Sequence, residues 1–263
     1  MAYYSLFTYS AFFSLMFNFC HSFNPKILNV SKAYDQSDSG WETTHATWYG
    51  APTGAGSDGG SCGYKAAVES GPFSSKITAA APALYNYGDG CGTCYQVKCT
   101  DSSSQYCSGT PVTVTITDSC DGCDHLFDLS GASFSAMANP GQEQQLRNAG
   151  NIEVQYKSVL CHYLGTHIAF RVDPGSNPSY FAMAVEYEDG HGITGVSLRK
   201  SNTNGDWLQM QKSWGAVWKI DLAQDYSPPF SVKVIDDTNS VVAENVIPAN
   251  YLADHPYVST VNF

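Results

Sequence analysis

At 263 residues the chain is long enough for two domains, and 24 acidic residues against 13 Lys and Arg give it a formal net charge of -11. That balance argues against a nucleic-acid partner, which needs a basic stripe to meet the phosphates. With 14% charged residues, 13% aromatics, 23 Gly and 12 Pro, the composition suits short strands and turns rather than long helices.

Residues 1–23 carry no Lys, Arg, Asp or Glu and are rich in Phe, Leu and Tyr. Ser, Thr and Asn interrupt the apolar run, so it reads as a secretory signal rather than a membrane anchor, although the usual basic start is missing. No later stretch is apolar for long enough to span a bilayer, and the mature chain is expected to be soluble and extracellular. Residues 24–44 lack periodicity and read as a flexible leader, with a glycosylation sequon at Asn29. Of nine Cys, Cys20 leaves with the signal, and the other eight fall between Cys62 and Cys161. An even set in a secreted chain points to disulfides, here confined to the first half.

From Thr47 to Cys161 come short strand-like runs, among them "CYQVKC" and "VTVTIT", and two short helical ones, "ASFSAMA" and "GQEQQLRNAG". The boundary falls in "LCHYLGTH". Beyond it, seven short runs at near-regular spacing, separated by Gly, Pro, Asn and Asp, predict a β-sandwich. In the run Tyr180 to Tyr187, alternation sends Phe181, Met183, Val185 and Tyr187 to the core. Tyr180, Ala182, Ala184 and Glu186 then face solvent. A Tyr beside small residues there is either a flat platform or a cross-strand packing partner.

Two acids end apolar runs in "VTVTITDSCDGCDHLFDLSG": Asp118 after the Thr/Val alternation and Asp128 between Phe127 and Leu129. Paired carboxylates are the equipment of glycoside hydrolysis. The residues alone leave a plainer reading open, with Asp118 starting a turn and Asp128 capping a helix.

Seven stretches in order, "ATWYGAPTGAGSDGGSCGYK", "GCGTCYQVKC", "FDLSGASFSAMA", "QLRNAG", "GSNPSYFAMAVEYEDG", "SWGAVW" and "VIPANY", resemble plant expansins of the β-expansin branch. The resemblance runs from about Thr47 to Phe263. It implies a mostly β protein: a six-stranded double-psi β-barrel over residues 45–160, related to family 45 glycoside hydrolases. A linker (161–166) and an immunoglobulin-like β-sandwich that binds carbohydrate (167–263) follow. The implied protein is a secreted monomer of the plant cell wall, without cofactor or metal. Its partners would be cellulose and hemicelluloses such as xyloglucan or xylan, whose contacts it would loosen without hydrolysis, best at acidic pH.

The same resemblance implies disulfides Cys62–Cys91, Cys94–Cys161 and Cys99–Cys107. Cys120 and Cys123 remain, open to a redox pair, a zinc site or a local bridge. Nearby Asp118, Asp121 and Asp124 count against the first, and the shortage of other ligands against the second. Asp118 and Asp128 match the family's groove acids, with Asp128 as proton donor. Thr47, Trp48, Tyr49, Asp58, Tyr180 and Trp214 match its polysaccharide-binding positions, and Trp218 reads as core. The related hydrolases place their catalytic base at the end of a Thr-x-Tyr-x-Asp motif; here Thr47, Tyr49 and Ala51 occupy that pattern, and a methyl group cannot activate water. Asp58, seven residues on, is a poor substitute. Expansins usually read His-Phe-Asp, whereas this chain reads His125-Leu126-Phe127-Asp128. If the segment is extended, the one-residue offset turns the imidazole to the other face: either a small bulge restores His125 or the family's His contact is missing, and a solvated loop histidine is the expectation. Two alternatives are a weak β-glucan endohydrolase using Asp128 and a carbohydrate-binding protein without loosening activity.

Overall fold

A computed structural model describes residues 40–101 and 104–263. The expected signal, the sequon at Asn29 and most of the leader lie outside the described residues. Six strands close a barrel: β1 (Glu42–Tyr49), β2 (Ile77–Ala80), β3 (Cys94–Cys99), β4 (Val112–Ser119), β5 (Phe127–Ser130) and β6 (Ile152–Val159). Their order around it is β1-β5-β2-β4-β3-β6, with β1·β5 and β2·β4 parallel. Strand β1 starts inside the stretch read as leader, because Glu42 pairs with Tyr156 and accepts a 2.8 Å hydrogen bond from its hydroxyl. Alternate side chains fill the barrel: Ala46, Val97, Val114, Phe127, Leu129, Ile152 and Val154. Each large one contributes about 1.5–3 kcal/mol by leaving water. The helices α1 (Pro82–Tyr85), α2 (Gly131–Ser135) and α3 (Glu143–Ala149) are short, the second N-capped by Ser130 and the third ending on Gly150 at φ 75°.

Four disulfides join Cys62 to Cys91, Cys94 to Cys161, Cys99 to Cys107 and Cys120 to Cys123. Bridges of this kind stabilise by about 2–4 kcal/mol each.

The second half is a sandwich of β7 (Ala169–Val172), β8 (Tyr180–Glu186), β9 (Gly195–Lys200), β10 (Leu208–Gln209), β11 (Gln211–Trp214), β12 (Val217–Asp221), β13 (Phe230–Ile235), β14 (Ser240–Ile247) and β15 (Pro256–Val258). One sheet runs β10-β9-β13-β14 and the other β11-β12-β8-β7-β15. Phe170, Phe181, Met183, Val185, Leu198, Trp218 and Phe230 fill the space between them.

Strand β8 departs from its expected pattern in two ways. Tyr187 leaves the strand at φ 63° and packs on Phe73 of the barrel half, ring centroids 4.8 Å apart, instead of entering the sandwich core. The face expected in solvent is largely covered: Ala182 and Glu186 are fully buried and Ala184 nearly so. Glu186 is balanced by Arg171, whose Nε donates at 2.7 Å. Neighbouring Val217 on this face meets Gly63 of the barrel, which is why alternation misjudged its exposure.

Barrel and sandwich lie in one compact unit. Lys65 pairs with Asp254 at 2.7 Å, and Lys212 reaches Asp89 at 2.8 Å and the Gly88 carbonyl at 2.9 Å. Where the halves meet, Glu188 is 3% exposed, and apart from a weak approach of the Gly192 backbone its oxygens lack a well-formed hydrogen bond. Burial, then the charges of Asp236 and Asp189, push its carboxyl up to about 8, with a weaker opposing pull from the Gly192 backbone. A free Glu ionises near 4.5. Between those values the folded protein keeps a proton that the unfolded chain has lost, so stability falls as pH rises through this window. Glu188→Gln is expected to match the parent's thermal midpoint at pH 4 and exceed it at pH 8.5. Parallel pH profiles for the two proteins would contradict this.

Candidate functional site

Three adjacent barrel strands build the floor of the site. Ala79 on β2 is in register with Asp128 on β5 to one side and with Asp118 on β4 to the other. Both acids therefore share one face and flank a methyl group, their Cα atoms two strand intervals apart, about 9.5 Å. Phe127 and Leu129 turn into the barrel, which leaves Asp128 outward. Asp118 reaches this face through a bulge. The ladder passes from Thr78↔Ile116 to Ala79↔Asp118 and skips Thr117. Unbroken alternation would have turned Asp118 inward with Val114 and Ile116.

The two acids are held differently. Asp118 Oδ1 accepts from the backbone amides of Ser61, at 2.7 Å, and Ser119, at 2.8 Å. The Ser61 and Ser119 hydroxyls lie 3.0 Å apart, and Tyr85 donates to the Ser61 carbonyl at 3.1 Å. Asp118 is thus a latch for the Ser61 loop. Asp128 Oδ1 lies 2.5 Å from Thr47 Oγ1, which lies 2.7 Å from His125 Nε2, and His125 Nδ1 lies 2.8 Å from Asp124. His125 is therefore a member of the site, its side chain only 10% exposed. This corrects the solvated-loop expectation: β5 begins at Phe127, so strand alternation never governed His125.

Hydrogen bookkeeping constrains this row. The His125 hydrogen bond first, then the Asp124 backbone, hold the Asp124 carboxyl below its usual range, so Asp124 accepts and Nδ1 carries a proton. With Asp128 ionised, Thr47 donates to it and Nε2 must donate to Thr47, which makes the ring imidazolium. With Asp128 protonated, it donates to Thr47 and Thr47 donates to a neutral ring. The two arrangements hold the same number of protons and differ by a proton passed along the row, Nε2 giving to Thr47 Oγ1 as Thr47 gives to Asp128. Removing that proton leaves two acceptors facing Thr47 and one hydrogen to serve them. Tyr49 lies beside both acids: burial first, then the charges of Asp118 and Asp128, hold its phenol well above its ordinary range.

Other predicted residues are divided between the two faces. Along β1, Thr47 and Tyr49 share the outer face, while Trp48 alternates inward. Its ring packs on the barrel core, 6.4 Å from Phe134, and its indole N–H donates to the Arg147 carbonyl at 3.0 Å. Trp48 is thus packed against the barrel while staying half-buried. Asp58 is exposed on the loop before Ser61, and Ala51 is exposed where β1 has ended. Trp218 is core. Tyr180 and Trp214 share one face of the five-stranded sheet, since Tyr180 pairs with Asp221 and both Trp214 and Ala184 pair with Val217. They are about 13 Å apart along the strand direction.

Trp214, 47% exposed, rests on Gly63, where a Cβ would come 2.8 Å from the indole. Gly63 is two residues from Ser61. One line therefore runs from Tyr180 through Trp214, Gly63 and Ser61 to Asp118, Asp128 and Thr47. Sequence reasoning missed Ser61, Gly63, Ala79 and His125; the "SCGYK" stretch was the one visible sign of the first two. Among the described residues no group of His, Cys, Asp and Glu is arranged to hold a metal, and no helix is long and apolar enough to cross a membrane.

A double-psi β-barrel family model described as lytic transglycolase matches residues 77–156, and one described as expansin C-terminal domain matches residues 168–248. Putative expansin-B2 of Arabidopsis thaliana is 49% identical over 95% of this chain and 92% of its own length. Expansin-B11 of Oryza sativa subsp. japonica is 47% identical over 86% of this chain and 79% of its own. In fold the chain is similar to a mutant Clavibacter michiganensis expansin crystallised in complex with cellohexaose. The TM-score is 0.63 at 23% identity, over 84% of this chain and 98% of that one.

Trp48→Ala is expected to cost about 3 kcal/mol in unfolding free energy, whereas Trp214→Ala leaves stability within about 1 kcal/mol.

Proposed function

The chain belongs to the expansin family, on its B-type side, and from that premise we propose a secreted plant cell-wall protein that loosens neutral wall polysaccharides without cutting them. The line from Tyr180 and Trp214 to the Asp118–Asp128 floor carries this reading. Flat C–H faces of a β-linked glucan stack well on aromatic rings, since apolar burial and the ring quadrupole act together. Thr47, Asp118, Asp128 and exposed Asp58 supply hydrogen-bond partners beyond the rings. A polymer held over both halves would lose its lateral contacts with neighbouring chains, whether cellulose, xyloglucan or xylan.

Cleavage needs a second carboxylate to activate water opposite the proton donor. Ala51 stands where the related hydrolases keep that base. Asp118 lies at a separation compatible with an inverting pair on distance alone, but its Oδ1 is already held by two backbone amides. That spacing is the one observation favouring a weak β-glucan endohydrolase. Acidic pH suits the loosening reading, because a carboxyl on the floor of a groove can donate a hydrogen bond to a sugar oxygen only while it is protonated.

Creep of a heat-killed plant wall under load, with sugar release measured in parallel, separates the readings. Extension at pH 5 without new reducing ends is the expected result; steady release of reducing ends would overturn it. Trp214→Ala is expected to weaken cellohexaose binding about tenfold, about 1.4 kcal/mol. Asp128→Asn is expected to retain that binding and lose the pH dependence of creep. Undiminished creep by Asp128→Asn at every pH would remove the acid's role.

A further inference from the structure

Beyond Tyr180 the sandwich has a recess that the Tyr180–Asp128 line does not use. It is a cavity of about 650 Å³, within the size range of small-ligand sites, whose walls include Asn177, Asp225, Tyr226, Ser227, Ala249 and Tyr251. Tyr226 stacks on buried Phe230 at 5.8 Å, and its hydroxyl accepts from the Lys200 amide at 2.9 Å. Tyr251 meets buried Phe181 edge-on at 5.6 Å. Both rings are thus fixed by core contacts before any ligand arrives. Asn177 is braced as well, donating to the Gly175 carbonyl and accepting from the Ser179 amide. Two fixed rings, an amide, hydroxyls and one carboxylate, with no Lys or Arg in the wall, suit a neutral sugar and disfavour an anionic one.

The wall of the recess is continuous with the platform. Asn177 and Tyr180 exchange both backbone hydrogen bonds, at 2.7 and 3.2 Å, and the Leu222 amide donates to the Ser179 carbonyl at 2.9 Å. The two surfaces differ in direction. Tyr180 shares the outer face of its sheet with Trp214, whereas the recess opens between the sheets, over Phe230 and beside Tyr251. A polymer backbone lying flat on the rings would have to leave them to enter. A unit hanging sideways from that backbone enters without disturbing the stack.

We propose that this recess is a subsite for a neutral monosaccharide branch carried by the polymer backbone that lies on Tyr180. The proposal rests on the glucan-binding reading above. Calorimetric titration of the full chain with cellotetraose, and with a tetraglucose backbone bearing xylose branches, tests it. The branched probe is expected to bind about tenfold more tightly than the linear one. Ala249→Trp, which fills the recess from an exposed position, is expected to abolish that gain and leave cellotetraose binding unchanged. Ser227→Ala combined with Asp225→Asn, both at the exposed rim, is expected to reduce the gain about threefold. Equal affinity of the parent for both probes overturns the subsite alone, as does an undiminished gain in both variants. If neither probe binds, the glucan reading falls and the subsite with it.

Discussion

The arrangement depends on one close approach of backbone to backbone. Gly215, at φ +50°, lies so near the Ser61 carbonyl and Cys62 that a Cβ would overlap them, and the Ala216 amide donates to the Cys62 carbonyl at 3.0 Å. A side chain at Gly215 would be strained by its conformation and blocked by its surroundings. This contact seats Trp214 on Gly63 and brings the sandwich to the loop whose Ser61 amide holds Asp118. Three consecutive residues of the barrel thus serve an acid and an indole together. The Cys62–Cys91 bridge and the Tyr85 hydrogen bond anchor the same loop from below.

With the loop fixed, the acids divide their duties. Asp118 commits one oxygen to two backbone amides and sets geometry. Asp128 instead faces the Thr47 hydroxyl, which links it to His125. The methyl of Ala79 between them keeps the floor flat enough for a sugar ring.

Much of this was legible in the residues, and what was not has a common cause. Eight cysteines between Cys62 and Cys161 and the strand-like run at Tyr180 are local signals, and both are visible in the fold as four disulfides and strand β8. Alternation tells which side chains share a face, but not what later covers that face. So Glu186 looked exposed until the barrel half and Arg171 buried it. Asp118 was expected on the groove from the resemblance alone; an unbroken alternation would bury it, and a bulge set by pairing with a distant strand brings it out. His125 precedes its strand, so a rule about strands misplaced it. Each miss depended on a partner far away in the chain.

The floor under the two acids is three strands wide and hydrogen-bonded throughout, and the loop above it is bonded, bridged and glycine-docked. Such a bed is stiff in the plane where a polymer would lie. A single hydrated glucan is far more compliant, so any misfit between the two is resolved by bending the guest. Mechanical work of this kind needs no bond broken and no energy-rich cofactor; it needs a host that does not yield.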